Sequence, residues 1–206
     1  MSISLYYHPY SRAAGTIWAL EETGVPYELK VLDLMKGEHK GPELVSKNPM
    51  GKLPTLVDGD VVVTEGAAIA LYLADRYASG RLSPALDDPK RGTYLRWAFF
   101  APSVVEPAIM AKQSGWEVKE VAAGWGNYAN AMASLESALA GKDYVLGDAF
   151  SMADVVVGGL LRFMMLFKQI EPTPLFTDYV KRLEARPACQ RADARNVAMR
   201  KELGLQ

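Results

Sequence analysis

The first eighty residues alternate between short strand-like runs and segments with helical spacing. Residues 4–7 are apolar and aromatic and run into a polar turn, which predicts a strand. Apolar residues then recur with helical spacing over residues 12–24, which end in a glycine stop signal, and residues 27–31 alternate at period two. The chain is therefore predicted to begin with a strand, a helix and a second strand.

A hairpin and a further helix complete this first part. The Asp-Gly pair at 58–59 is a strong hairpin signal, and apolar runs flank it at 53–57 and 61–63. A polar loop at 36–42 leads into a short irregular helix before the hairpin, and helical spacing resumes over 65–77. This order of elements predicts a compact α/β layer with helices packed on a mixed sheet.

The rest of the chain has helical spacing without a convincing strand. A break at 79–87, rich in residues that interrupt helices, predicts a linker between a domain at 1–78 and an all-helical domain at 88–206. Pro102 and Pro107 predict a bend in the first helix of that domain, because proline removes a backbone donor. The predicted helices cover residues 88–113, 117–140, 151–168, 174–185 and 188–195.

Composition narrows the class of protein. Half of the chain is apolar and the net charge is −1, which argues against nucleic acid and anionic lipid as partners. No apolar run reaches the roughly 18–20 residues that span a bilayer, and residues 1–4 lack the features of a signal peptide. The single cysteine, Cys189, excludes an internal disulfide, and no ligand set at metal spacing accompanies His8. We expect a soluble cytoplasmic protein without a metal or a membrane partner.

The first candidate binding element is the segment before the hairpin. Pro54 leads into a predicted strand, where a missing amide hydrogen is normally unfavourable. A cis bond between Leu53 and Pro54 would accommodate it and would leave the amide and carbonyl of Leu53 facing outward. Those two groups are then available to pair with an extended peptide, in the manner of strand addition.

The second candidate element is the start of the helix after the hairpin. Glu65 and Gly66 begin this helix, and the free amides and positive dipole end of a helix N-terminus attract a carboxylate. Glu65 supplies the complementary anion for an ammonium group. A small peptide with an amine, a carboxylate and an extended backbone fits both elements, whereas the alternative is an ordinary hairpin followed by an acidic first helical turn.

The string from Asn48 to Leu56, followed by Glu65 and Gly66, resembles the N-terminal half of cytosolic glutathione transferases. The Gly-Glu-His-Lys segment at 37–40 resembles the plant-type phi class and its bacterial relatives. This resemblance implies a thioredoxin-like α/β N-terminal domain that binds glutathione. It also implies an all-α C-terminal helical bundle that binds an electrophile.

The resemblance assigns six residues to glutathione. The glycyl carboxylate would face His39, Lys40 and Lys52, the cysteinyl backbone would pair with Leu53, and the γ-glutamyl amine and carboxylate would bind Glu65 and Gly66. The family usually has a serine where this chain has Gly66. The backbone amide survives that change, but the loss of a hydroxyl hydrogen bond weakens binding by on the order of 1 kcal/mol.

The candidate catalytic residue is Ser11. The thiol of glutathione ionises near the ordinary cysteine value of about 8.5, so a hydroxyl donor aimed at the sulfur favours the reactive thiolate. Ser11 lies at the turn between the first strand and helix, and it matches the phi-like His-Pro-x-Ser pattern. Its alternative role is that of a helix N-cap. Tyr10 or Arg12 is the alternative group near the sulfur.

These features together predict an enzyme that conjugates the glutathione thiolate to a small hydrophobic electrophile. The resemblance further implies a homodimer with a role in detoxification and no metal cofactor. Two alternatives keep the same fold: a non-enzymatic scaffold or regulator, to which the departure at Gly66 points, and a glutathione-dependent peroxidase.

Overall fold

The computed structural model describes residues 3–205 and divides the chain into two compact units. Met1 and Ser2, which belong to the expectation about a signal peptide, lie outside the described residues, as does Gln206. The first unit contains the residues up to Tyr77 and those from Arg186 onward, and the second contains Ala78–Ala185. Among the residues described, no helix is both long and apolar enough to cross a membrane.

A four-stranded mixed sheet forms the centre of the first unit. The strands are β1 (Ile3–Tyr7), β2 (Tyr27–Val31), β3 (Thr55–Asp58) and β4 (Val61–Thr64). They lie in the order β2-β1-β3-β4, where β1 and β2 are parallel and the other neighbours are antiparallel. The helical crossover between the first two strands makes the parallel pair, and the Asp-Gly turn makes the hairpin.

Helices cover this sheet, so the predicted thioredoxin-like α/β layer is confirmed. A fully buried set of aliphatic side chains from the sheet and the helices, including Leu5, Ile17, Leu56 and Ile69, forms its core. Gly24 ends the first helix with a left-handed φ of 76°, a conformation that glycine adopts without steric cost. The elements are α1 (Ala13–Thr23), a 3₁₀ turn (Glu38–Lys40), α2 (Pro42–Val45) and α3 (Gly66–Ala78).

The second unit is helical, as predicted. It contains α4 (Lys90–Phe100), α5 (Glu106–Ser114), α6 (Tyr128–Leu139), α7 (Met152–Leu166) and α8 (Pro174–Glu184). A π-helical segment, Ala101–Val105, joins α4 to α5 and contains Pro102, while Pro107 lies in the first turn of α5. The two prolines therefore interrupt the regular α-helix that the spacing predicts over 88–113.

Two predicted helices differ in extent from those observed. The helix predicted over 117–140 begins only at Tyr128, because Gly126 has a φ of 64° and the side chain of Asn127 caps the helix by accepting a hydrogen bond from the Asn130 amide. The last helix, α9 (Pro187–Glu202), is longer than the predicted 188–195. It packs against α1 and so belongs to the first unit, although the sequence pattern places it in the helical domain.

The N-terminus of α7 has the capping box that the Ser-x-x-Asp spacing predicts. The amide of Ser151 donates to Asp154 Oδ2 at 2.9 Å. Asp154 is fully buried and also accepts hydrogen bonds from the Val145 amide and the Tyr179 hydroxyl, at 2.8 and 2.9 Å. Burial raises the pKa of this carboxyl above its ordinary value despite those bonds.

Candidate functional site

The register of the sheet brings the predicted site segments to one edge. Tyr6 pairs with Thr55, and Thr55 pairs with Thr64. The loop after β1, the segment before β3 and the start of α3 after β4 therefore leave the sheet at the same edge, where β2 also ends because it runs parallel to β1. Ser11 and Leu53, although distant in sequence, both lie on segments that meet this edge.

The loop between β1 and α1 carries the candidate catalytic serine. Ser11 Oγ donates to the carbonyl of His8 at 2.7 Å and accepts a hydrogen bond from the Ala13 amide at 3.2 Å. The hydroxyl thus bonds the first amide of α1, but the N-cap position is Arg12, one residue after the serine that the sequence suggests as the alternative N-cap. In this arrangement its proton points at a backbone carbonyl, so donation to a sulfur atom requires the hydroxyl to rotate.

The two tyrosines of β1 are not available to a ligand. The hydroxyl of Tyr6 donates to Glu43 Oε1 at 2.9 Å, and that of Tyr7 donates to Asn196 Oδ1 at 2.6 Å. Both rings are buried, and burial raises the pKa of each phenol to about 12. The exposed residues of the loop, Tyr10 and Arg12, therefore stay as the alternatives to Ser11.

His8 has the role of a turn residue. Its ring is buried, and its Nδ1 accepts a hydrogen bond from the Tyr10 amide at 3.2 Å. That bond assigns the proton of the neutral ring to Nε2. Burial lowers the pKa of His8 even though Asp33 opposes the shift, so the ring is neutral at physiological pH.

The 3₁₀ turn at 38–40 packs against the loop that precedes β3. Lys40 Nζ donates to the carbonyl of Met50 at 2.9 Å. Gly51 has a φ of 57°, and a Cβ atom there would lie 2.8 Å from the His39 carbonyl oxygen and 3.1 Å from Lys40 Nζ. Lys52, the next residue, has an exposed side chain. The structure therefore brings the predicted carboxylate-binding residues onto two loops in direct contact.

His39 is partly exposed, but its Nδ1 atom is buried and has no hydrogen-bond partner among residues 3–205. An unsatisfied buried nitrogen costs free energy, so a polar group from outside the chain would be favoured beside it.

The backbone of Leu53 is free in the way that the sequence predicts. The Leu53–Pro54 bond is cis. Within the described part of the chain neither the amide nor the carbonyl of Leu53 has a hydrogen-bond partner. Its side chain packs against the buried cluster of Tyr6, Leu32 and Leu44, which holds the segment at the edge of the sheet. These free groups can pair with an extended peptide.

Glu65 stands at the N-terminus of α3 in a strained conformation. Its φ of 65° is left-handed, which is unusual for a residue with a side chain and is often found at functional sites. Its carbonyl accepts the first helical hydrogen bond from the Ile69 amide at 2.9 Å. Glu65 and Gly66 are both exposed, and no atom lies within 4 Å of the position of a Cβ at Gly66.

A buried aspartate anchors α3 to the hairpin. Asp58 accepts hydrogen bonds from the hydroxyls of Tyr72 and Tyr77, and the Arg76 guanidinium lies 3.1 Å away. Burial by itself would raise the pKa of Asp58, but the two phenols and the guanidinium outweigh it and hold that pKa below its ordinary value. The anchor fixes the helix whose first residues form part of the candidate site.

Sequence reasoning assigned no role to Asn48, which organises the loop before β3. This buried side chain donates to the Lys52 carbonyl at 3.0 Å and to Thr55 Oγ1 at 3.1 Å, and its Oδ1 accepts from the Met50 amide at 3.2 Å. An asparagine before a proline is a turn signal that could have identified it. No group of three or more potential metal ligands occurs among residues 3–205.

Two family models match parts of this chain. Residues 1–75 match the family model for the glutathione S-transferase N-terminal domain, and residues 119–191 match that for the C-terminal domain. The chain is 32% identical to glutathione S-transferase 2 of Schizosaccharomyces pombe over 163 residues, which are 71% of this chain and 70% of the relative.

This chain is also similar to solved structures of glutathione transferases. A glutathione transferase of Phanerochaete chrysosporium, solved in complex with oxidized glutathione, aligns with a TM-score of 0.80 at 26% identity and covers 96% of this chain and 97% of its own. A glutathione S-transferase of Actinobacillus pleuropneumoniae aligns with a TM-score of 0.76 at 29% identity, covering 94% and 92% of the two chains.

Proposed function

The chain belongs to the glutathione S-transferase family and is a glutathione transferase, and we propose that it conjugates the thiolate of glutathione to small hydrophobic electrophiles. The observation that carries this proposal is the meeting of three segments at one edge of the sheet. The segment before β3 contributes the free backbone of Leu53 and the exposed charge of Lys52, and α3 contributes an exposed N-terminus at Glu65 and Gly66. The 3₁₀ turn, which contacts the loop before β3, contributes Lys40.

Each part of glutathione has a complementary group in this arrangement. The γ-glutamyl carboxylate binds the N-terminus of α3, and its ammonium pairs with the Glu65 carboxylate. The cysteinyl backbone pairs with Leu53, and the glycyl carboxylate binds Lys40 and Lys52 beside His39. Charge complementarity at both ends of an extended tripeptide supports glutathione as the co-substrate.

Ser11 is the proposed catalytic residue. Its Oγ lies at the N-terminus of α1. Once the hydroxyl rotates away from the His8 carbonyl, its proton and the helix dipole both stabilise a thiolate. The thiolate attacks an electrophilic carbon, a carbon–sulfur bond forms, and the leaving group departs with its electron pair. The chain provides binding, orientation and thiolate stabilisation, so the reaction needs no cofactor besides glutathione.

We also propose a homodimer, a cytoplasmic location and a role in detoxification, because these properties are usual for members of the family. Light scattering coupled to size-exclusion chromatography tests the assembly directly, since a dimer has twice the 22.6 kDa mass of the chain.

Calorimetric titration of reduced glutathione, paired with turnover of a generic aryl halide, tests the activity. Binding together with turnover is the expected result. Glu65→Gln should weaken binding, whereas Glu136→Gln, at an exposed position on α6, serves as the matched control and should not. Absence of binding at millimolar glutathione would overturn the proposal.

The remaining outcomes separate the alternatives. Binding without aryl-halide turnover, combined with reduction of an organic hydroperoxide, would indicate a glutathione-dependent peroxidase on the same site. Absence of binding would favour a non-enzymatic scaffold, and the glycine at position 66 is the sequence feature in its favour.

A further inference from the structure

One side chain from the last helix holds both ends of the loop that carries Ser11. Asn196, on α9, is buried with 8% of its surface exposed. Its Oδ1 accepts a hydrogen bond from the Tyr7 hydroxyl at 2.6 Å, and its Nδ2 donates to the carbonyl of Ala14 at 3.1 Å. Tyr7 is the last residue of β1 and Ala14 lies in the first turn of α1, so the amide spans the loop between them.

The contact at Ala14 is linked to the candidate catalytic residue through backbone hydrogen bonds of Ser11. The Ala14 amide donates to the Ser11 carbonyl at 3.0 Å, and the Ser11 amide donates to the His8 carbonyl at 3.0 Å. A shift of the first turn of α1 therefore moves Ser11 with it. Because Asn196 joins this turn to the end of β1, it restricts the position of Ser11 relative to the sheet.

Other side chains dock α9 onto α1 at the opposite end of α1. Arg186 donates through Nε and Nη2 to the two carboxylate oxygens of Glu22, at 2.7 and 2.8 Å. Arg191 and Arg195 donate to the Glu21 carboxylate at 2.7 and 2.6 Å. Both carboxylates are buried, so these ion pairs hold the helix in place independently of Asn196.

From this division of contacts we propose that Asn196 is a positioning residue for the transferase reaction. It holds the β1–α1 loop so that the Ser11 hydroxyl and the N-terminus of α1 face the glutathione sulfur, while the arginine pairs secure α9. The inference rests on the proposed function, because the sulfur is the atom toward which the loop is positioned. Asn196 acts through Ser11 and does not touch the substrate.

Asn196→Ala is the direct test, and Arg191→Ala is its matched control. Both variants remove a contact between α9 and α1, but Arg191 lies at the end of α1 away from the loop. We expect Asn196→Ala to lower kcat about fivefold to tenfold and to raise the apparent pKa of the bound thiol, with the KM for glutathione within about twofold. Arg191→Ala should leave the thiol pKa, measured from thiolate absorbance, unchanged.

Amide hydrogen exchange of residues 8–14 without glutathione is the second readout. Exchange in this loop should be faster in Asn196→Ala than in Arg191→Ala at equal global stability. Tyr7→Phe keeps the bond to Ala14 and removes only the one to β1, so it should shift the thiol pKa in the same direction by less. This variant decides the question if Asn196→Ala does not fold.

Failure of the proposed function and failure of the positioning role of Asn196 give different results. Wild-type protein that neither binds nor turns over glutathione overturns the proposed function, and loop exchange then decides whether Asn196 orders the loop. In an active enzyme, a thiol pKa that is the same in Asn196→Ala, Tyr7→Phe and Arg191→Ala overturns the positioning role.

Discussion

The carbonyl oxygen of His39 lies 2.8 Å from the position that a Cβ atom would occupy at Gly51. Only a residue without a side chain allows the 3₁₀ turn and the loop before β3 to approach this closely. We therefore predict that Gly51→Ala costs about 2 kcal/mol or more of stability, from the left-handed φ together with the steric clash. It should also weaken glutathione binding, because the loops that carry Lys40 and Lys52 separate.

Gly24→Ala is the control for this prediction. Gly24 has a φ of 76° but no atom within 4 Å of a Cβ position, so the substitution has the backbone cost without the clash. Urea unfolding should show a loss of about 1 kcal/mol, and calorimetry should show unchanged glutathione affinity. Equal effects of the two substitutions on affinity would contradict the proposed role of the loop contact.

Gly66→Ser should strengthen glutathione binding. No atom lies within 4 Å of a Cβ at this exposed helix start, so the serine fits without displacement and adds a hydroxyl where the γ-glutamyl carboxylate is proposed to bind. One additional hydrogen bond corresponds to an affinity gain of about fivefold. Calorimetric titration checks this, with Gly66→Ala as the variant that adds only the methyl group and should show no gain.

Ser11→Ala should lower conjugation at neutral pH by on the order of tenfold or more and raise the pKa of the bound thiol. The physical reason is the loss of the only hydroxyl proton proposed to face the sulfur. Because the same hydroxyl accepts a hydrogen bond from the first amide of α1, a stability loss of about 1 kcal/mol is expected as well. Stopped-flow kinetics and thiolate absorbance separate the two effects.

Ser11→Asp keeps an oxygen that can accept the hydrogen bond from the Ala13 amide but has no proton to donate at neutral pH, so it should retain stability and lose activity. Full conjugation activity in Ser11→Ala would show that the hydroxyl is not the catalytic group. Tyr10→Phe and Arg12→Ala would then be the variants to measure, since both residues are exposed on the same loop.

Acid should weaken the anchor of α3 through Asp58. The pKa of this carboxyl is lower in the folded protein than its ordinary value, so the folded state favours the ionised form. The associated stability is complete above the ordinary value of about 4 and is lost as the pH falls through the folded-state pKa.

Asp58→Asn should therefore lower stability at neutral pH by about 1–2 kcal/mol and flatten the acid limb of the stability curve. Asp60→Asn, an exposed position in the same turn, should change neither. Urea midpoints measured from neutral to acidic pH provide the comparison. A parallel acid limb in wild type and Asp58→Asn would contradict the assignment.

Local patterns in the sequence were sufficient for most of the first unit. The period-two runs, the Asp-Gly turn and the glycine stop at Gly24 depend on sterics within a few residues, and the structure has the corresponding elements. Helix boundaries in the second unit were less predictable. The start of α6 at Tyr128 depends on Asn127 acting as a cap. Apolar spacing alone does not show where such a cap begins a helix.

The sequence by itself predicted which segments could bind a small peptide, because the properties of a residue before a proline and of residues that start a helix depend on local backbone chemistry. The resemblance to the family then implied that this peptide is glutathione. Only the tertiary structure decided that these segments meet at one edge, since strand register depends on pairing between distant parts of the chain. It also decided the position of Asn196, whose partners Tyr7 and Ala14 lie more than 180 residues away. Eight of the 16 residues of α9 are polar or charged, and they are interspersed with the apolar ones. Its pattern therefore does not indicate which face becomes buried, and that face is set by packing against α1.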